Sequence, residues 1–185
     1  IMLDMSGSTL GFRQVIKQSA VRFIDALSPN DRVAVVEFYD KINLRNDFTT
    51  DRSTIANSIS VANGRGKTHL YRALDFALDK LSKEKSRRKA IIVLTDGVDS
   101  QVKDQDRDLL EPLRDDQIAT AIKPEASDTL NRILNRSDAQ GVTIYPLALP
   151  TGNPDKLADP TLRQVAMFKA ARTRLQMVAD RSGGT

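Results

Sequence analysis

A run of five apolar residues near the middle of the chain ends in a polar turn: Ala90-Ile91-Ile92-Val93-Leu94-Thr95-Asp96-Gly97. A short, continuous apolar run is typical of a strand that is buried on both faces of a parallel sheet. Two other runs have the same character, Ile1-Met2-Leu3 before Asp4 and Val33-Ala34-Val35-Val36 before Glu37-Phe38. The sequence therefore predicts several core strands, and the first of them also ends in a small polar loop.

Segments with helical periodicity alternate with these strands. Apolar residues recur at spacings of three and four over residues 12–27, 55–62, 70–81 and 130–134. A strand is predicted over 142–148, and Ile42-Asn43-Leu44-Arg45 alternates as an antiparallel edge strand does. We expect Asp159-Pro160 to open a last helix whose buried face contains Leu162, Ala166, Leu175 and Val178.

This alternation predicts an α/β fold: an open, mostly parallel sheet with one antiparallel edge strand and helices on both faces. The 185 residues fit a single domain, 1–185. Residues 99–124 are charged and weakly periodic, so we expect a surface insertion there with one short helix around residues 109–113. The chain begins inside an apolar run and stops after a turn, so we expect a piece of a longer protein, truncated at both ends.

Composition limits the chemistry that this chain offers. It contains no cysteine and one histidine, His69, which excludes disulfides, thiolate metal sites and multi-histidine zinc sites. The 28 Lys and Arg residues exceed the 24 Asp and Glu residues by only 4, a mildly basic balance. No stretch approaches the roughly 20 apolar residues that span a bilayer, so we expect no direct membrane insertion. A site in this domain is therefore expected to consist of oxygen ligands.

Small oxygen-bearing residues follow the predicted strands or begin a helix. They provide two carboxylates and three hydroxyl groups, at Asp4, Ser6, Ser8, Thr68 and Asp96. Ligands of open α/β sheets bind beyond the carboxyl ends of the strands, where these turns are expected to meet. Mg²⁺ prefers near-octahedral oxygen coordination and keeps several waters, so a few protein oxygens are enough to hold it.

The same residues carry a resemblance to a known family. The segments Asp4-Met5-Ser6-Gly7-Ser8, Thr68-His69-Leu70-Tyr71 and Thr95-Asp96-Gly97 resemble the three parts of the metal-ion-dependent adhesion site of von Willebrand factor type A domains, in the same order. Further matches are Pro29-x-Asp31-Arg32-Val33 and Ala179-x-x-Ser182-Gly183-Gly184. The resemblance covers nearly the whole chain except the predicted insertion, and is greatest to bacterial members, some of which are secreted or envelope proteins.

The resemblance implies a Rossmann-like sheet with Mg²⁺, or alternatively Mn²⁺ or Ca²⁺, above its strand ends. Ser6 and Ser8 would hold the ion, Thr68 would hold it directly or through water, and Asp4 and Asp96 would hold it partly through water. An Asp or Glu carboxylate of a protein partner would complete the coordination shell. The implied function is non-enzymatic binding or adhesion, in a secreted or cell-envelope location.

Two positions depart from the family pattern. The usual Gly-Gly-Thr appears as Gly66-Lys67-Thr68, which places a cation next to a predicted ligand. If Lys67 faces the site, it would either compete with Mg²⁺ or help to capture an anionic ligand. Arg72 stands where the family often has Asp, although that position is not a metal ligand. Neither change removes a predicted ligand.

Other functions have sequence support of their own. Asp4-x-Ser6-Gly7-Ser8-Thr9-x-x-x-Arg13 also resembles the first phosphate loop of actin-like sugar kinases and ATPases, but that loop precedes a hairpin of strands, whereas a helix is predicted here. A haloacid-dehalogenase-type phosphatase would need a carboxylate where Ser6 stands, and a serine hydrolase would have only His69 as its base. A structural module with an unused site is the third alternative.

A basic cluster is interrupted by Glu84 and has no aromatic residue beside it. We interpret it as a solvated loop and expect no nucleic-acid binding. Its members are Lys83, Lys85, Arg87, Arg88 and Lys89. His69 is interpreted as a partly exposed residue at a helix start and is assigned no role.

Overall fold

The computed structural model describes residues 1–84, 88–156 and 158–184. Across these residues it contains five strands and seven α-helices. The strands are β1 (Met2–Asp4), β2 (Val33–Phe38), β3 (Ile42–Thr49), β4 (Lys89–Thr95) and β5 (Val142–Ala148). The helices are α1 (Arg13–Asp25), α2 (Arg52–Val61), α3 (Leu70–Ser82), α4 (Ser100–Leu110), α5 (Asp115–Ala121), α6 (Asp128–Gln140) and α7 (Leu162–Ser182).

The strands form one sheet in the order β3-β2-β1-β4-β5. Strand β1 lies parallel to both β2 and β4, and β5 lies parallel to β4. Only β3 runs antiparallel, at the edge beside β2. Leu3 pairs with Leu94 and Asp4 with Phe38, so the ends of β1, β2 and β4 lie side by side. The predicted mostly parallel sheet with an antiparallel edge strand is confirmed.

Two separate hydrophobic cores lie on opposite faces of the sheet. Because successive strand residues point to opposite faces, Met2 and Val93 belong to one core, whereas Leu3 and Leu94 belong to the other. Helices α3, α6 and α7 cover the first core, and α1 and α2 cover the second. The predicted helices on both faces are confirmed, and the result is a three-layer α/β domain.

The helices start and stop where local chemistry favours it. Helix α3 buries the apolar residues that recur on one face, from Leu70 to Leu81. Helix α6 ends at Gln140 and is followed by Gly141, whose φ of 61° lies in the left-handed region that glycine adopts without strain. Its first turn is capped by the Ser127 side chain, which accepts a hydrogen bond from the Leu130 N–H.

The region around residues 99–124 is more helical than the sequence indicates. The short helix expected at 109–113 is wrong, since α4 begins at Ser100 and ends at Leu110, and α5 follows. The Asp99 carboxylate starts α4 by accepting the N–H groups of Gln101 and Val102. The apolar periodicity of α4 is incomplete, because one of its inward positions is the charged residue Asp106.

Asp106 is buried because it pairs with Arg174 of α7. Two hydrogen bonds of 2.6 and 2.8 Å join the Arg174 guanidinium to the two Asp106 carboxylate oxygens. The Asp106 side chain is only 8% exposed, and the Arg174 side chain is only 6% exposed. This bidentate pair fixes α4 against α7 in a largely dehydrated environment.

The buried face of α7 also differs from the expectation. Leu162 is 56% exposed, because the helix begins there after its capping residue Thr161. Leu175 and Val178 lie on the inward face as predicted, and Ala166 is half-buried. The other inward residues are Met167, Ala170, Ala171, Arg174 and Ala179. Two members of the predicted basic cluster, Lys85 and Arg87, lie outside the described residues. Within the described residues, no helix has both the length and the hydropathy required to cross a membrane.

We predict that Asp106→Ala lowers the free energy of unfolding by about 3–5 kcal/mol, because it leaves the Arg174 charge buried without its partner. The double variant Asp106→Leu/Arg174→Met should recover most of this loss. Urea denaturation measures both effects. Leu109→Ala, at a 49% exposed position of the same helix, is the control and should change stability by less than about 0.5 kcal/mol. A cost below about 1 kcal/mol for Asp106→Ala would contradict a buried, structural ion pair.

Candidate metal centre

Three chain segments meet above the carboxyl ends of the central strands. The first is the loop after β1, residues 5–9, and the third is the loop after β4, residues 96–99. The second is the segment before α3, residues 63–69. It contacts the first loop where the Gly7 N–H donates to the Gly66 carbonyl oxygen at 3.0 Å. These segments contain four of the predicted ligands, Ser6, Ser8, Thr68 and Asp96, and the fifth, Asp4, is the last residue of β1.

Asp4 lies at the end of β1 and is fully buried. Its Oδ1 accepts the Ser6 N–H at 3.1 Å, and its Oδ2 accepts the Thr95 hydroxyl at 2.6 Å. The Thr95 hydroxyl oxygen in turn accepts the Gly97 N–H at 3.1 Å. The Asp4 carboxylate is thus held between the first and third loops, and Thr95 is a functional neighbour that the sequence reasoning did not single out.

The two predicted serine ligands lie together in the first loop. The Oγ atoms of Ser6 and Ser8 are 3.2 Å apart, and Ser6 is buried whereas Ser8 is exposed. Thr9 closes the loop, because its hydroxyl donates to the Asp4 carbonyl oxygen at 2.8 Å, with the Ser6 carbonyl oxygen 3.1 Å away. The loop therefore offers a pair of neighbouring hydroxyl groups, one of them open to solvent.

Asp96 has an incomplete set of hydrogen bonds. It is 1% exposed, and its Oδ1 accepts the Val98 N–H at 3.0 Å. Its Oδ2 is buried and has no hydrogen-bond partner among the described residues. An unpaired carboxylate oxygen is costly to bury, since nothing replaces the hydration that it loses. A cation at this oxygen would remove that cost.

The electrostatics of Asp4 also favour a cation. The pKa of its carboxyl is raised to about 7, first by burial and second by the negative charge of Asp96. Hydrogen bonds from Ser6 and Thr95 oppose this shift. Two carboxylates that repel each other at one place are stabilised together by a divalent ion, which compensates both charges. The residues present thus fit a hard cation with oxygen ligands.

Thr68 is tied to the third loop through Ser100, the first residue of α4. The Thr68 N–H donates to Ser100 Oγ, and the Ser100 N–H donates to the Thr68 carbonyl oxygen, both at 2.9 Å. Thr68 is 3% exposed. Asp99 adds a third link, because its Oδ2 accepts the Tyr71 N–H at the start of α3. The entry to α3 and the entry to α4 are therefore joined.

Buried polar side chains support the second segment from below. Glu37, fully buried in β2, accepts the Asn63 N–H at 2.8 Å and pairs with Arg45 at 2.6 Å. Arg13, at the start of α1, donates to the carbonyl oxygens of Met5 and Gly64. The sequence reasoning missed Glu37, although a glutamate inside the apolar run of β2 is a signal that could have identified it. Arg13 was noted there only as part of the actin-like phosphate-loop pattern.

The predicted site is built mainly from hydroxyl groups. Across residues 1–84, 88–156 and 158–184, no group of three or more His, Asp or Glu side chains is placed to hold a metal ion. The candidate centre has only two carboxylates, so Ser6, Ser8 and Thr68 would have to contribute. His69 lies just before α3, partly exposed, and its Nδ1 has no hydrogen-bond partner in the described structure.

Sequence comparison identifies the family. The profile of the von Willebrand factor type A domain matches residues 1–98, more than half of the 185 residues. All five predicted ligands lie within this match. The chain belongs to the von Willebrand factor type A domain family. No curated protein matches the sequence.

Solved structures agree with this fold at low sequence identity. The von Willebrand factor domain of the type V pili tip protein Mfa5 from Porphyromonas gingivalis is similar with a TM-score of 0.63 and 14% identity, over 92% of this chain and 84% of that one. A von Willebrand factor type A protein from Catenulispora acidiphila gives 0.61 and 18%, over 98% and 42%. The open pilus adhesin SpaC from Lactobacillus rhamnosus GG gives 0.62 and 13%, over 98% and 26%. This chain thus spans less than half the length of the last two structures.

The buried Asp4 predicts an unusual pH dependence of stability in the presence of a chelator. Its folded-state pKa of about 7 exceeds the ordinary value of 3.8, so the folded protein holds a proton that the unfolded chain has released. The protonated Asp4 carboxyl therefore makes its full contribution to the free energy of unfolding below pH 3.8. This contribution is lost as the pH rises through about 7. The free energy of unfolding should fall by at most about 4 kcal/mol over this range.

Urea denaturation between pH 4 and pH 8, on the wild type and on Asp4→Asn, measures this contribution. The isosteric amide does not titrate, so the difference between the two proteins isolates Asp4. The wild type should lose stability relative to the variant as the pH rises. Parallel pH profiles would show that Asp4 is not a buried, charge-destabilised carboxyl.

Proposed function

We propose that this domain is a non-enzymatic, metal-dependent protein-binding module. A divalent cation, Mg²⁺ or in its place Mn²⁺ or Ca²⁺, would be held by Asp4, Ser6, Ser8, Thr68 and Asp96. A protein partner would complete the coordination shell with the carboxylate of an Asp or Glu side chain. The observation that carries this proposal is the buried, unpartnered Oδ2 of Asp96 beside the raised-pKa carboxyl of Asp4.

The ligand set explains why a partner carboxylate would bind. Hydroxyl groups are neutral, and Asp4 and Asp96 would contact the ion partly through water, so the ion would keep enough positive charge to attract an additional carboxylate. Ser8 is exposed, which leaves the hydroxyl side of the site accessible to a partner. The buried carboxylates are held in place by Thr95, Ser6 and Val98. The protein thus contributes a preformed, rigid set of oxygens.

The structural neighbours are consistent with adhesion. Mfa5 is described as a pilus tip protein and SpaC as a pilus adhesin. Their similarity to this chain is one of fold, so the adhesive role is carried over as part of the proposal. A secreted or cell-envelope location would suit such a role.

The enzyme alternative lacks the element that it requires. An actin-like phosphate loop is followed by a hairpin of antiparallel strands, whereas here the first loop leads through a short 3-10 turn, Leu10–Phe12, into helix α1. The Nδ1 of His69 has no hydrogen-bond partner in the described structure, so no carboxylate orients this ring through Nδ1 as a catalytic base. Membership of the von Willebrand factor type A family further supports a binding function.

Calorimetric titration of Mg²⁺ into chelator-treated protein tests the proposal. We expect saturable binding to the wild type, weakened by about tenfold or more in Asp4→Asn and in Asp96→Asn, since each variant removes a full ligand charge. Asp25→Asn is the matched control, because Asp25 is an exposed residue at the far end of α1. Absence of saturable binding to the wild type, or unchanged binding in both site variants, would contradict the proposal.

A further inference from the structure

We infer that the partner segment is polyacidic: it carries further carboxylates beside the one that would complete the metal shell. Three cationic residues that flank the candidate metal centre would receive them, and we call these the basic rim. They are Arg65, Lys67 and Arg72. This inference rests on the proposed function and specifies the class of partner.

The basic rim flanks the predicted ligand Thr68 along the chain. Arg65 and Lys67 stand on either side of Gly66, whose carbonyl oxygen accepts the Gly7 N–H between the two serine ligands. Lys67 directly precedes Thr68. Arg72 follows Thr68 by four residues, about one helical turn into α3. The three cations therefore lie within four residues of Thr68, on the segment that supplies one of the predicted ligands.

The rim side chains are exposed and have no carboxylate partner among the described residues. Each of the three residues is exposed, although Leu70 and Tyr71 between them are buried. Elsewhere in the domain many arginines are paired with carboxylates, as Arg45 is with Glu37 and Arg136 is with Asp75. The rim charges are thus available to an incoming anion.

One acidic residue lies next to the rim, and it is occupied with loop structure. Asp40 Oδ1 accepts the Lys67 N–H at 2.6 Å, and the carboxylate lies against Gly66. This contact explains why Gly66, at φ 94°, carries no side chain. A divalent ion would balance the negative charges of Asp4 and Asp96. The three rim cations would then have Asp40 as their neighbouring acidic residue. The loaded surface would be positive and complementary to an acidic segment.

The proposed geometry also determines what the rim would do. Exposed charge pairs contribute little individually and weaken with salt, so the rim would select among partners rather than replace the metal contact. A partner with one carboxylate would bind through the metal alone. A partner with several would gain rim contacts, and this gain would fall as ionic strength rises. Selectivity for acidic clusters is therefore the measurable consequence.

Two synthetic peptides separate these contributions. One has a single Glu in a Gly-Ser background, and the other has the same Glu flanked by further Glu residues. Fluorescence anisotropy measures the affinity of each for the protein at saturating Mg²⁺ and again with chelator. The wild type should prefer the polyacidic peptide by about tenfold at low salt, and both peptides should lose binding with chelator.

The rim variant is Arg65→Gln/Lys67→Gln/Arg72→Gln. It should lose most of the preference for the polyacidic peptide, and it should bind Mg²⁺ at least as tightly as the wild type does. The control variant is Arg22→Gln/Lys83→Gln/Arg88→Gln. It removes the same formal charge from exposed residues in the later turns of α1, after the end of α3 and before β4. The control variant should keep the preference of the wild type.

Several results would overturn the inference. These are equal affinity of the wild type for both peptides, an unchanged preference in the rim variant, or an equal loss in the control variant. Tighter binding of a single-stranded oligonucleotide than of the polyacidic peptide would also overturn it, in favour of nucleic acid. Chelator-sensitive binding of both peptides with no preference would leave the proposed function standing, whereas absence of Mg²⁺ binding would defeat the proposed function itself.

Discussion

The burial of two carboxylates side by side is the constraint on which this domain depends. Asp4 and Asp96 end or follow adjacent parallel strands, and both are almost completely inaccessible to solvent. Burial and, second, the negative charge of Asp96 raise the pKa of Asp4 to about 7. An arrangement that opposes folding in this way is typical of a functional site, where a ligand provides the compensating charge.

The loops around these carboxylates form one connected structure. Thr95 links the first loop to the third through its bond to Asp4, and Ser100 links the third loop to Thr68. Glu37 and Arg13 attach the second segment to the sheet and to α1. Because each link involves a buried or partly buried polar group, displacing one segment would leave others unsatisfied. The oxygens of the candidate site are therefore positioned before any ligand arrives.

Sequence patterns predicted the sheet and most helices because the apolar residues follow the periods of strands and helices. The patterns do not predict a helix correctly where an inward position is charged. Asp106 interrupts the apolar periodicity of α4, and its partner Arg174 lies within the buried face of α7. The candidate ligands were found because they lie at strand ends and match a family pattern. Thr95 and Ser100 were not, since their roles depend on contacts between segments that are distant in sequence.

X-ray diffraction from crystals grown with Mn²⁺ tests the metal centre most directly. Anomalous scattering at the manganese edge locates the ion without reference to binding curves. We expect one strong peak in contact with the loop of Ser6 and Ser8 and near the unpaired oxygen of Asp96, with Asp4 and Thr68 around it. A map without a peak there, at Mn²⁺ concentrations that saturate binding in solution, would contradict the account.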